Sequence, residues 1–314
     1  MKENIVAISV SDGPDLQLFG FLPQHLRRLF ASLAAATLRN GWRVGYGGDL
    51  RRDGFTRSLL ADMGAAFGRG EIGGEPQAAV VHFFSQSSWS EMPAQAILNH
   101  LTDKELGPLD APIAPVVETR FLMPALDMSP FAKDGGVLGI VVRDGELRST
   151  EHGERLEESR FFSLLESAAV NRMEPGRALT AMRREMAACC PLRIQFSGKI
   201  DGYAGEKPGL LEEAIEQIRA GGIVMPLGAI GGAAREIAIA LRLLDAQRTR
   251  YPKYGRNYHE SFEELEGLAR DHKRQAEEFW PNLVEAAWLG TPHRIVFNLN
   301  AVLTKMRQAA RISG

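Results

Sequence analysis

The chain has 314 residues, with 37 lysines and arginines against 39 aspartates and glutamates, 45% hydrophobic residues and a formal charge of −2. This is ordinary globular usage, long enough to bury a full core. The near-neutral balance argues against a protein that coats a nucleic-acid backbone, which needs a basic face. Glycine is the one excess: 32 residues, about 10% against a typical ~7%.

Ile5 to Val10 is a short β-rich run ended by Ser11-Asp12-Gly13-Pro14, a strand followed by a turn. Leucines 26, 29, 33 and 38 with Phe30 give a helical repeat over 22–39, stopped at Asn40-Gly41. A second strand at 42–46, a second helix at 55–67 and a third, apolar strand at 78–84 follow. This alternation predicts a parallel sheet with covered faces. Pro108, Pro112, Pro115, Pro124 and Pro130 mark extended connecting segments. A strand is expected at 137–142 and helices at 161–173 and 178–190. The alternation resumes with strands at 192–196 and 222–227 and helices at 209–219 and 232–244. Beyond Tyr251 amphipathic helices are expected at 261–280 and 299–310, the stripe Phe262, Leu265, Leu268 and Ala269 being core. The expected fold class is α/β: a Rossmann-like parallel sheet flanked by helices. Residues 1–250 form one domain with an insertion at about 90–190, and 251–314 a helical C-terminal extension.

Two adjacent cysteines, Cys189 and Cys190, make no disulfide framework and fit a reducing compartment. The apolar start is too short for a signal-peptide core. The uncharged stretch 220–234, with five glycines and a proline, falls short of the ~18 residues a bilayer span needs. The chain is therefore read as cytoplasmic, with no membrane association. Seven scattered histidines show no metal-ligand spacing. No metal and no cofactor are expected.

The glycines concentrate just after the strands. Strand two leads into Gly45-Tyr46-Gly47-Gly48-Asp49-Leu50-Arg51-Arg52, and the later strands into Ser197-Gly198-Lys199 and Gly228-Ala229-Ile230-Gly231-Gly232. In an open parallel sheet ligands bind outside the carboxyl ends of the strands. There glycine lets backbone approach a ligand, and helix N-termini favour anions. Neither a dinucleotide fingerprint nor a P-loop is present: Leu50 and Arg193 stand where those motifs want glycine. Arg51, Arg52, Lys199 and Arg235 are the cations nearest these loops. Glu236 lies one turn into the helix that follows Gly232, as a ribose ligand or as a first-turn acid matching the helix dipole.

The segments 44–56, Val-Gly-Tyr-Gly-Gly-Asp-Leu-Arg-Arg-Asp-Gly-Phe-Thr, and 225–236, Met-Pro-Leu-Gly-Ala-Ile-Gly-Gly-Ala-Ala-Arg-Glu, resemble the paired glycine loops of the SLOG superfamily. That group covers the lysine-decarboxylase-like "lonely guy" phosphoribohydrolases, the DprA/Smf proteins, and nucleotide-sensing domains of TIR-associated bacterial defence proteins and TRPM channels. The likeness spans about residues 4–90 and 190–245. Ser197-Gly198-Lys199 and Gly54-Phe55-Thr56 look closest to the TIR-associated branch. The chain departs from the phosphoribohydrolase pattern at Leu227 and Ala233, and Glu212 and Glu213 stand near the positions of that family's catalytic Arg-Lys.

The resemblance implies a nucleotide-derived ligand, NAD- or ADP-ribose-like or a nucleoside phosphate, in a sensing role linked to defence or stress. Gly47, Gly48, Arg51, Lys199, Gly231 and Gly232 would cradle phosphates, with Ser197, Gly198 and Gly228 in the same loops. Ser11, Asp12 and Glu236 would meet the ribose. It also implies a homo-oligomer and a TIR-type effector partner. The alternative is an N-glycosidase or phosphoribohydrolase using Glu236 and Asp49 as catalytic carboxylates. A third reading is an oligomeric scaffold with vestigial loops.

Overall fold

The computed structural model describes residues 2–48, 79–102, 117–123, 136–143, 146–151 and 153–313. The expected helix at 55–67, and with it Asp49, Arg51 and Arg52, lies outside the described residues. The fold is α/β, Rossmann-like, with eight strands in a mostly parallel sheet and flanking helices. The chain divides into two compact units, Met1–Val44 with Arg183–Gly314, and Gly45–Met182.

In the first unit the strand order is β2-β1-β7-β8: β1 Ile5–Ser11, β2 Arg43–Tyr46 (which reaches the unit boundary), β7 Leu192–Ser197 and β8 Ile223–Leu227. β7 pairs parallel with β1 and with β8; Ser11 is opposite Ser197, and Gln195 opposite Pro226. Every residue of β7 and β8 is buried; β8 is an unbroken apolar run, while β7 alternates Leu192, Ile194 and Phe196 with the buried polar residues Arg193, Gln195 and Ser197. Helix α1 (Pro23–Arg39) buries Leu26, Leu29, Phe30 and Leu33, and Asn40 at its C-terminal end donates to Asn300 at 2.8 Å on the long helix Pro292–Ser313.

The second unit holds β3 (Val80–Phe84), β4 (Val117–Leu122), β5 (Val137–Arg143) and β6 (Glu146–Ser149). β4 is parallel to β3, while β5 and β6 run antiparallel. Among the described residues this unit holds the helices α2 (Gln86–Trp89), α3 (Ala94–Leu101) and α4 (Glu158–Val170). Its core gathers Phe84, Trp89, Phe121, Leu138, Phe161 and Leu164. The Gln86 amide donates to the Ala168 and Asn171 carbonyls at 3.0 Å, satisfying the last turn of α4.

Helix α5 (Pro175–Cys189) runs across the unit boundary, and its last turns face α6 (Gly209–Arg219) in the first unit. α6 is buried almost throughout, including Glu212, Glu213 and Glu216. Arg183 pairs with Glu212, and the wholly buried Arg193 of β7 donates to Glu213 at 3.0 Å and to Ser9 at 2.9 Å.

Two expected helices are shorter than their periodicity suggests. Helix α7 (Gly232–Ala240) stops before Arg242, whose φ of 59° cannot continue a right-handed helix. The stretch expected as one helix over 261–280 is α8 (Tyr258–Gly267), α9 (Ala269–Gln275) and a 3-10 turn, Glu277–Phe279, broken after Gly267. Helices α10 (Trp280–Trp288) and α11 (Pro292–Ser313) complete the unit. The His272 ring of α9 is buried, and its Nε2 accepts the Val224 N–H of β8 at 3.1 Å. Among the described residues no helix is long and apolar enough to cross a membrane.

Candidate ligand-binding site

β1 and β7 end level with each other, and the Gly198 N–H donates to the Ser11 carbonyl at 2.9 Å, carrying the ladder one step beyond the strands. The chain then turns sharply: Ser197 has φ 58° and Gly198 φ 109°. The Lys199 N–H is fixed by the Ser11 hydroxyl at 3.2 Å. After β8 the 3-10 turn Gly228–Ile230 delivers Gly231 and Gly232 to the start of α7. Gly232, at φ 64°, is required here. A Cβ would lie 2.6 Å from the Ser197 carbonyl carbon and 2.7 Å from the Gly198 oxygen, backbone that cannot yield. The Ala233 N–H donates to that same Gly198 oxygen at 3.1 Å.

Beyond the ends of β1 and β7 lies a cleft of about 380 Å³, lined by residues 12–14, 199–201 and 251–253. It sits where open parallel sheets bind ligands, outside the carboxyl ends of adjacent strands. Asp12 and Lys199 are exposed in it. Lys253 bonds Asp201 at 2.8 Å, and that hydrogen bond, with one from the Gly202 backbone, holds the Asp201 carboxyl below its ordinary range. Among the described residues Lys199 forms no ion pair.

Asp15 and Tyr251 are a pair that sequence reasoning did not single out. Asp15 is buried; it accepts the Gly232 N–H on Oδ1 and the Tyr251 hydroxyl on Oδ2, each at 2.8 Å. Burial first, then the Asp15 charge and hydrogen bond, push the Tyr251 phenol well above its ordinary range. Gly-Pro-Asp directly after a strand was the only local signal.

Glu236 is wholly buried away from the cleft lining. Its Oε2 accepts Arg248 Nε at 2.7 Å and its Oε1 the Thr249 N–H at 3.1 Å. The Arg248 guanidinium lies 3.6 Å from the Phe262 ring centroid, and Tyr258 is buried nearby, its ionisation pushed upward by burial and then by the Glu236 charge.

Of the residues expected at the site, Asp12 and Lys199 line the cleft, and Ser11, Ser197, Gly198, Gly231 and Gly232 form the frame from which its loops spring. Gly228 packs close to the Ala287 carbonyl, where a Cβ would stand 3.1 Å away. Arg235 lays its guanidinium over Phe19 at 5.0 Å. Gly47 and Gly48 belong to the other unit, where the Gly48 carbonyl meets His82 Nε2 at 2.9 Å. Asp49 and Arg51 lie outside the described residues. Among those residues no cluster of His, Cys, Asp and Glu is arranged to hold a metal.

A mostly parallel Rossmann-like sheet with a cleft at its strand ends and glycine-framed loops places the chain among the Rossmann-like α/β proteins. A family model described as SLOG cluster2 matches residues 1–114 and 145–295, and the chain belongs to the SLOG family. A search of curated proteins gives no match.

Proposed function

We infer that the chain binds a nucleotide-derived small molecule, NAD- or ADP-ribose-like or a nucleoside phosphate, and acts as a cytoplasmic sensor in a defence or stress system. The observation that carries this reading is the cleft at the ends of β1 and β7, with Lys199, which forms no ion pair among the described residues, for an anion, the Asp12 carboxylate for hydroxyls and the Tyr251 ring for an apolar face. SLOG membership supports the ligand class. The TIR-associated branch, an effector partner of TIR type and a homo-oligomer extend the same reading.

Hydrolysis by Glu236 is the weaker reading. Both its oxygens are engaged by Arg248 and Thr249, so a catalytic role would first have to break a buried ion pair. Titration of the purified chain with NAD, ADP-ribose and AMP tests the binding reading: at least one should bind saturably, about tenfold more weakly in Lys199→Ala, a loss of about 1.4 kcal/mol. If none of the three binds, the reading fails. Chromatography of the same mixtures reports on hydrolysis, since free base appears only if the ligand is cut.

A further inference from the structure

The N-terminus of α7 is a ready-made seat for an anion, and the chain fills it with its own carboxylate. Asp15 is 3% exposed. Among the described residues its oxygens are held by two neutral donors, the Gly232 N–H and the Tyr251 hydroxyl, with no ion pair.

The seat has more donors than Asp15 uses. The Ser197 hydroxyl is wholly buried and unbonded, and a Cβ built on Gly13 would touch both that oxygen, at 2.7 Å, and Asp15 Oδ1, at 3.3 Å. Gly13 thus fits tightly against both oxygens, with no room for a methyl group, so the Ser197 hydroxyl becomes reachable only when the segment carrying Gly13 and Asp15 moves. Arg235, in the first turn of α7, keeps a buried, unbonded Nε and covers Phe19, which sits on the same short segment as Asp15. A carboxylate offers two oxygens; a phosphate group offers three strong acceptors and more charge. Beside the seat, the Ser197 hydroxyl is a donor that the carboxylate in place does not use.

Asp15 is carried on residues 13–20, between Gly13 and Gly20, the latter at φ 78°. The 3-10 turn within it, Leu16–Phe19, leaves Leu18 83% exposed. We propose that Asp15 is an intramolecular competitor for this anion seat, and that a phosphate-bearing ligand enters by displacing it together with the 13–20 segment. The proposal takes only the ligand's identity from the nucleotide reading above. Displacement also breaks the Asp15–Tyr251 hydrogen bond at the cleft wall, so occupancy is converted into movement of two loops that a partner can read.

The test is calorimetric titration of the full chain with inorganic phosphate, beside ADP-ribose on the wild type. Asp15→Ala should bind phosphate at least tenfold more tightly than the wild type, and Tyr251→Phe, which removes one of the two holds on Asp15, about threefold more tightly. Adding Ser197→Ala to Asp15→Ala should return part of the gain. The proposal is overturned if both single variants, folded by circular dichroism, bind phosphate no more tightly than the wild type. If Asp15→Ala does not fold, Tyr251→Phe decides alone by the same criterion. A phosphate gain in a chain that binds no ADP-ribose upholds the competitor and counts against the nucleotide reading. ADP-ribose binding without any gain in the variants does the reverse.

Discussion

Around Arg193 the first unit buries charge against charge, whereas around Asp15 it buries a lone carboxylate against neutral donors. Arg193 and Arg183 face Glu213 and Glu212; Arg193 Nε also reaches Gln217 and its Nη1 Ser9, while Arg193 Nη2 and Arg183 Nε are buried without a hydrogen-bond partner among the described residues. Two cations and two anions balance, and together they tie α5 and α6 to β7. Such a cluster holds no place for a guest, because removing any member strands its partner in a dry interior. Among the described residues Asp15 has no counter-charge and sits beside a cleft, which is what the proposed exchange for another anion requires. The contrast also accounts for the acids at 212 and 213, where the phosphoribohydrolase pattern has cations. In this chain those positions are committed to holding two arginines.

The sharpest way to break the comparison is to cut the balanced cluster. Arg193→Ala should destabilise the chain by about 3–5 kcal/mol in urea unfolding, since it leaves Glu213 buried with only the longer Arg183 contact at 3.8 Å. A loss under 1 kcal/mol would mean the network is not needed for folding.

His272 offers a third kind of burial, a titratable group kept neutral. Burial lowers its pKa from 6.5 to about 4. Above pH 6.5 both folded and unfolded states carry a neutral ring, and its contribution is complete. As the pH falls from 6.5 to 4 the unfolded state takes up the proton first. Stability should drop by about 3 kcal/mol across that window. His272→Gln should flatten this part of the curve, and an unchanged slope in urea titrations from pH 7 to 4 would refute the assignment.

Glu236→Gln should cost about 1–3 kcal/mol, because the buried side chain loses its ion pair while Arg248 stays half-buried. ADP-ribose affinity should change less than twofold; a collapse of binding with normal stability would return Glu236 to the site. Lys199→Ala sits at the other extreme. Melting should shift by no more than about 0.5 kcal/mol, the usual range for an exposed side chain, while ligand affinity falls about tenfold.

The alternation of strands and helices was readable because β8 is buried on both faces and reads as an apolar run, and β7 keeps Leu192, Ile194 and Phe196 at every second position. β4 escaped for the opposite reason. It is buried yet carries Glu118 and Arg120, which lie on one face and neutralise each other at 2.7 Å, so no apolar run announces it. The short hairpin strand β6 has only alternate residues buried and four positions in which to show it. At the site, glycine marked the loops correctly as places of close backbone approach, as at Gly232. What those loops hold was not readable, because Asp15 lies 217 residues from Gly232 and 236 from Tyr251. No local pattern reports a partner that distant. Glu236 carried the mark of a helix-start acid, but its guanidinium partner arrives only with the fold.

β8, the outermost strand of the first unit, carries a consequence for assembly. Its outward backbone positions are 222, 224 and 226, two apart and therefore facing the same way. The Gly222 N–H is taken by the Gln217 carbonyl, the Val224 N–H by the His272 ring, and Pro226 has none to give. A bare edge strand invites another chain to add to the sheet, and here the invitation is withdrawn at three successive positions. Among the described residues β8 thus has no outward N–H at these positions to offer a strand added past it. Acid, by charging His272, would reopen that border to aggregation.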